Sequence, residues 1–137
     1  MDAVSLAVVR AKVSEGFRAH AYRDTEGFMT IGYGCNIDAG WTEMLAAAVL
    51  QTQMQGTADA VSGQIPGFAS LDTVRQSVLI EMAFNMGLTK LLGFKQTLAA
   101  IADQNWQLAH DQMLQSQWAT QVGNRANQLA TLMLNGG

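Results

Sequence analysis

Apolar residues near the start of the chain fall at Val4, Val8 and Ala11 and at Leu6, Val9 and Val13, the three-and-four spacing that predicts a helix with one buried stripe. Asp2 is placed to cap it, and Gly16, directly after the last periodic residue, to stop it. Glu15 therefore stands at the C-terminal end of this first helix. Between Phe17 and Gly34 the pattern changes: Gly27, Gly32 and Gly34 alternate with aromatic and β-branched residues. Two arms, around Tyr22 and around Phe28 to Ile31, flank Asp24-Thr25-Glu26-Gly27, which predicts a hairpin and the one place where strands are expected. From Thr42 helical patterns take over. Leu45, Val49, Met54, Ala58 and Val61 predict one helix, broken at Gln64-Ile65-Pro66-Gly67. A second runs from about Leu71 to Met86 with Gly87 as its stop, short segments follow at 89–102 and 104–116, and a last helix spans Asn124 to Leu134. The reading is an α+β chain, mostly α: one domain over 1–137, with a small hairpin lobe at about 15–41 packed beside a helical lobe of about 1–14 and 42–137.

Composition narrows the function classes. With 137 residues, 49% hydrophobic and 14% charged, the chain is long enough to bury a core without a metal or disulfide. Its single cysteine, Cys35, has no internal partner. A net charge of -3 argues against nucleic-acid binding, which needs surplus cations to displace phosphate counterions. The local excess of Arg10, Lys12, Arg18 and Arg23 over Asp2 and Glu15 reads as a solvated face. The N-terminus lacks the basic segment of a signal peptide, and no apolar run approaches the roughly 20 residues of a membrane span. His20 and His110 are far apart with no acid cluster, so no metal is expected. The eight methionines, Trp106 and Trp118 lie on helical stripes and read as core. Trp41 reads as a cap at the next helix start, ahead of a role as a sugar platform.

The residues with possible chemistry are Glu15 and, nine positions later, Asp24. Cleaving a glycosidic bond takes a proton donor on the leaving oxygen and a second carboxylate at the sugar ring. By spacing alone such a pair is weak evidence. Its surroundings strengthen it: a helix C-terminus disfavours the ionised form of an acid, which suits a proton donor. If the hairpin loop is Thr25 to Gly27, Tyr22 faces Thr30 and the pleat puts Asp24 and Thr30 on one face; a two-residue loop would separate them.

The string Glu15-Gly-Phe-Arg-Ala-His-Ala-Tyr-Arg-Asp24-Thr-Glu-Gly-Phe-Met-Thr30-Ile-Gly-Tyr-Gly34 resembles the signature of the phage-type lysozymes (endolysins), glycoside hydrolase family 24. Ser70-Leu-Asp-Thr-Val-Arg75, Ala83-Phe-Asn-Met-Gly87, Gly93-Phe94, Ser116-Gln-Trp118 and Asn124-Arg-Ala126 follow in the order of that family's C-terminal lobe. The resemblance implies a lysozyme-like fold and a muramidase that hydrolyses the β-1,4 bond between N-acetylmuramic acid and N-acetylglucosamine in peptidoglycan. It implies Glu15 as general acid, Asp24 and Thr30 as holders of the attacking water in an inverting reaction, and Asn36, Phe84, Thr97 and Gln112 as glycan contacts. Arg125 matches an arginine that pairs with the catalytic glutamate. No cofactor or metal is implied; the partner is the glycan strand, bound by a monomer without nucleic acid or stable membrane insertion. The enzyme is expected in the host bacterial cytoplasm until it is released to the wall.

Two departures stand out. Cys35 occupies the place of a family histidine, which removes a structural His–Asp pair, and the stretch from Cys35 to Thr42 is shorter than in larger members. Two alternatives belong beside the muramidase. A lytic transglycosylase forms an anhydro sugar and has no use for a water-holding pair such as Asp24 and Thr30. A non-catalytic wall-binding module derived from a lysozyme has no use for Glu15.

Overall fold

The computed structural model describes residues 1–137, which divide into two units, Met1–Ala48 and Val49–Gly137. The chain is mostly helical with a small three-stranded antiparallel sheet, an α+β fold consistent with the lysozyme-like class. The first helix, α1 (Ala3–Glu15), starts where Asp2 accepts the Ser5 amide at 2.7 Å and ends where Gly16, at φ +70°, returns its amide to the Lys12 carbonyl at 3.1 Å. The expected buried stripe does not materialise, for no residue of α1 is buried. At about 100° per residue, Val4, Val8 and Ala11 lie on the face opposite Leu6, Val9 and Val13, so the apolar positions form two opposed stripes.

The sheet runs β1 (Arg18–Arg23), β2 (Met29–Gly32), β3 (Cys35–Asn36), each antiparallel to the next. Tyr22 pairs with Thr30 and Arg23 with Met29, the register of the longer of the two hairpin loops considered. Thr30 pairs in turn with Asn36, and Ile31 with Cys35. Nothing in the sequence pattern announces β3, because two residues are too few to display a period of two. It is held by hydrogen bonds: the Ile37 amide donates to the Met29 carbonyl, and the Met29 amide donates to Asp38 Oδ2, both at 2.8 Å. The next helix, α2 (Glu43–Gln64), is capped by Thr42, whose Oγ1 accepts the Leu45 amide at 3.2 Å, and not by Trp41, which is exposed.

After α2 come a single 3₁₀ turn (Phe68–Ser70), α3 (Thr73–Met86), α4 (Leu88–Leu92), α5 (Lys95–Ala102), α6 (Trp106–Leu114), α7 (Gln117–Val122) and α8 (Asn124–Asn135). Val61, Val78, Leu79, Met82, Leu91, Met113 and Met133 are its fully buried large side chains. Met1 and Met44, by contrast, are exposed. The segment expected at 89–102 is two helices, divided around Gly93, where a Cβ would come within 3.1 Å of the Lys90 carbonyl. The short α7, bounded by the Ser116 cap and Gly123, has no counterpart among the expected helices, since six residues hold too little of a 3.6-residue period.

Arg75 ties the start of α3 to the end of α8. It donates from Nε to the Met133 carbonyl at 2.7 Å and from Nη2 to the Leu134 carbonyl at 2.9 Å, and its Nη1 meets Asp72 Oδ2 at 2.8 Å. Its guanidinium stands 3.7 Å from the Trp106 ring centroid, so Trp106 serves as a cation platform at the edge of the core. Asp72 also caps α3 by accepting the Arg75 amide. No helix is long and apolar enough to cross a membrane.

Candidate active site

Glu15, Asp24 and Thr30 all fall in the unit Met1–Ala48. Glu15 is the last residue of α1 and is exposed, yet its carboxyl is not adrift: a Cβ at Gly34 would stand 2.5 Å from Glu15 Oε2 and 2.8 Å from its Cδ. The turn that follows β2 therefore approaches the carboxyl as closely as a bare Cα allows. Gly34 sits at φ +73°, a conformation that glycine adopts without steric cost.

Asp24 opens the loop Thr25 to Gly27. Its own amide donates to the Phe28 carbonyl at 2.8 Å, while its Oδ1 accepts the Glu26 amide at 2.9 Å and the Phe28 amide at 2.8 Å. An aspartate that accepts amides within its own turn fixes that turn. Both bonds go to one oxygen, so Oδ2 is left for other partners. Thr30 lies across the sheet from Tyr22, two residues before Asp24, and the alternation of the pleat puts Asp24 and Thr30 on a common face. Thr30 is 3% exposed, and its hydroxyl donates to the Phe28 carbonyl at 3.0 Å, which leaves its oxygen lone pairs as acceptors. Asn36, the partner of Thr30 on β3, continues the row and accepts the Ala39 amide at 3.2 Å. Above Tyr22, the Arg18 guanidinium lies 4.2 Å from the ring centroid.

The remaining residues singled out in the sequence lie in the unit Val49–Gly137. Thr97 and Gln112 line one open depression of about 470 Å³ together with Gly93, Phe94, Gln115 and Ser116. Phe84, 38% exposed, lines a different one, with Gly56, Ala60 and Leu88. Thus Thr97 and Gln112 are brought together and Phe84 is not joined to them. Arg125 Nη2 meets Glu81 Oε2 at 3.5 Å, the ion pair it makes in this structure. The Trp118 indole donates to Asn85 Oδ1 at 2.8 Å and fixes that amide beside Phe84 in the chain. Gln115 and Ser116 were not picked out from the sequence as lining residues; only tertiary packing brings them beside Thr97. No three His, Cys, Asp or Glu side chains converge as a metal site would require. His20 is exposed on β1, and His110 bonds its neighbour Asp111 at 2.8 Å, holding that carboxyl below its usual range.

Comparison with known proteins gives the same direction as this geometry. Residues 12–133 match the family model of the phage lysozymes. Two proteins of Dictyostelium discoideum, probable T4-type lysozymes 1 and 2, are 24% and 26% identical to the chain, each alignment covering 91% of both partners. The pre-baseplate central spike protein Gp5 of Enterobacteria phage T4 is 27% identical over 89% of this chain, which corresponds to 26% of that longer protein. With the match running from the end of α1 into α8, the chain belongs to the phage lysozyme family and is a glycoside hydrolase of the lysozyme type.

Proposed function

We propose that the protein is a muramidase that hydrolyses the β-1,4 bond between N-acetylmuramic acid and N-acetylglucosamine in peptidoglycan, with inversion at the anomeric carbon. The observation that carries this reading is the division of labour within the Asp24 carboxylate. Two backbone amides hold Oδ1 and none holds Oδ2, and extending the pleat alternation by one residue from the Tyr22–Thr30 and Arg23–Met29 pairs supports a placing of Asp24 on the side of the hairpin that bears Thr30. A water that donates one hydrogen to Asp24 Oδ2 and the other to Thr30 Oγ1 keeps a lone pair for attack, because the Thr30 hydroxyl hydrogen is already given to the Phe28 carbonyl. Glu15 supplies the proton on the other side of the bond.

The step balances with these groups alone. The water oxygen bonds to C1 of the muramic acid ring as the C1–O4 bond breaks. The Glu15 proton goes to the leaving O4, and the proton released by water goes to Asp24. The enzyme is left with a glutamate and an aspartic acid, which exchange protons with solvent to reset. Asn36, on the same row as Thr30, and Thr97, Gln112 and Phe84, which line depressions in the second unit, are the contacts proposed for the glycan. Amide and hydroxyl side chains suit neutral sugar hydroxyls and acetamido groups, and an exposed ring suits the apolar side of a sugar.

Digestion of purified peptidoglycan followed by mass spectrometry tests the reading. Fragments ending in reducing N-acetylmuramic acid are expected. Ends carrying 1,6-anhydro-muramic acid would overturn it in favour of a transglycosylase, and undigested glycan would leave a wall-binding module.

A further inference from the structure

We propose that Gly34 is a positioning residue for the Glu15 carboxyl and that Tyr33 holds the turn that carries it; the inference rests on Glu15 being the acid. Two neighbouring glycines show what is special about this position. Gly32 and Gly34 both occupy the left-handed region, at φ +70° and +73°, so both are required by the backbone of the same turn. A Cβ at Gly32 would meet nothing within 4 Å, whereas one at Gly34 would stand 2.5 Å from Glu15 Oε2, 2.8 Å from Cδ and 3.2 Å from Cγ. Gly34 is thus a seat shaped to the carboxyl as well as a turn residue.

The seat is also fastened to the helix that bears the acid. The Tyr33 ring lies 5.5 Å from the Phe17 ring and has Lys12 Nζ 5.6 Å from its centroid. Phe17 follows Glu15 by two residues and Lys12 precedes it by three, so the residue before Gly34 is gripped from both sides of the acid. This matters because Glu15 is otherwise exposed, and a free glutamate side chain spreads over many rotamers. A general acid works only while its proton points at the leaving oxygen, and small displacements are costly to rate. The absence of a Cβ at Gly34 leaves open the rotamer in which the carboxyl rests against the turn, and a Cβ there would displace it.

Steady-state kinetics on soluble, uncrosslinked glycan chains separate positioning from mere turn strain. Gly34→Ala is expected to lower kcat about 100-fold with KM unchanged. Gly32→Ala, which carries the same left-handed strain without touching Glu15, is expected to match Gly34→Ala in thermal unfolding while keeping kcat near the parent value. Tyr33→Ala is expected to lower kcat in a folded protein, and Tyr33→Phe, which keeps the ring, to restore it. Equal losses of kcat in the two glycine variants, or a rise in KM alone for Gly34→Ala, would overturn the inference. Glu15→Gln in the same assay tells the two failures apart: an active Glu15→Gln removes the acid assignment itself, whereas an inactive one beside a fully active Gly34→Ala removes only the seat.

Discussion

The two units of the chain are held together by different physics. In Met1–Ala48 the one buried residue is Thr30, and the order of the unit comes from hydrogen bonds and turn geometry: the Asp2 cap, the two amides on Asp24, the Asp38 carboxylate on β2 and a run of left-handed glycines. In Val49–Gly137 lies the entire buried apolar core, from Val61 to Met133. The proposed acid, base and water-binding hydroxyl sit in the first unit, where position is set by directional polar contacts. The second supplies mass and cohesion. Conservative substitutions of the proposed catalytic side chains in the first should therefore lose rate at constant stability, and substitutions in the buried core of the second should lose stability at constant rate.

The largest departure is expected from Glu15→Gln. The side chain is exposed, so the melting temperature should hold, while hydrolysis falls by about 100-fold to 10,000-fold as the leaving sugar loses its proton donor. A paired activity and unfolding measurement checks both halves. Asp24→Asn sharpens the contrast. Asparagine keeps an oxygen for the amides of Glu26 and Phe28 but cannot take the proton from water, so activity should drop about 100-fold with the fold intact. Asp24→Ala should be as inactive and in addition less stable by about 1 kcal/mol, because the turn loses its acceptor.

In the second unit the expectation reverses. Met82 is completely buried, and Met82→Ala should cost about 2–5 kcal/mol in urea unfolding while activity per folded molecule persists. The smallest effect is expected at Asp72. Burial raises its pKa, but the Arg75 amide, the Arg75 side chain and their charge outweigh that, so the carboxyl stays below its ordinary value of 3.8. A group whose folded pKa is depressed stabilises in full above its unfolded value and loses that contribution as pH falls through the folded one. Asp72→Ala should therefore cost about 1 kcal/mol at neutral pH, and the gap to the parent protein should close in acid below about pH 4. A gap independent of pH would mean that the cap acts through shape rather than charge.

The sequence was most legible where structure is local. Asp2, Gly16 and Gly87 cap or end their helices at the expected positions, and the Tyr22–Thr30 register follows from a loop of Thr25 to Gly27. Elements of two or six residues, β3 and α7, carry too little periodicity to be seen. In α1 the spacing is helical as expected, but the two apolar sets lie on opposite faces and make no single stripe. Tertiary contacts were the least visible: no local pattern announces that Gly34 touches Glu15, that Arg75 spans from α3 to α8, or that Arg125 meets Glu81.

The central claim, that Asp24 and Thr30 hold the water that attacks opposite Glu15, is tested most directly by proton NMR of the first sugar released from a soluble glycan, observed before mutarotation. An initial α-anomer is predicted, since attack on a β-linked ring by water held on the far face inverts the carbon. An initial β-anomer would contradict the account and make Asp24 a nucleophile.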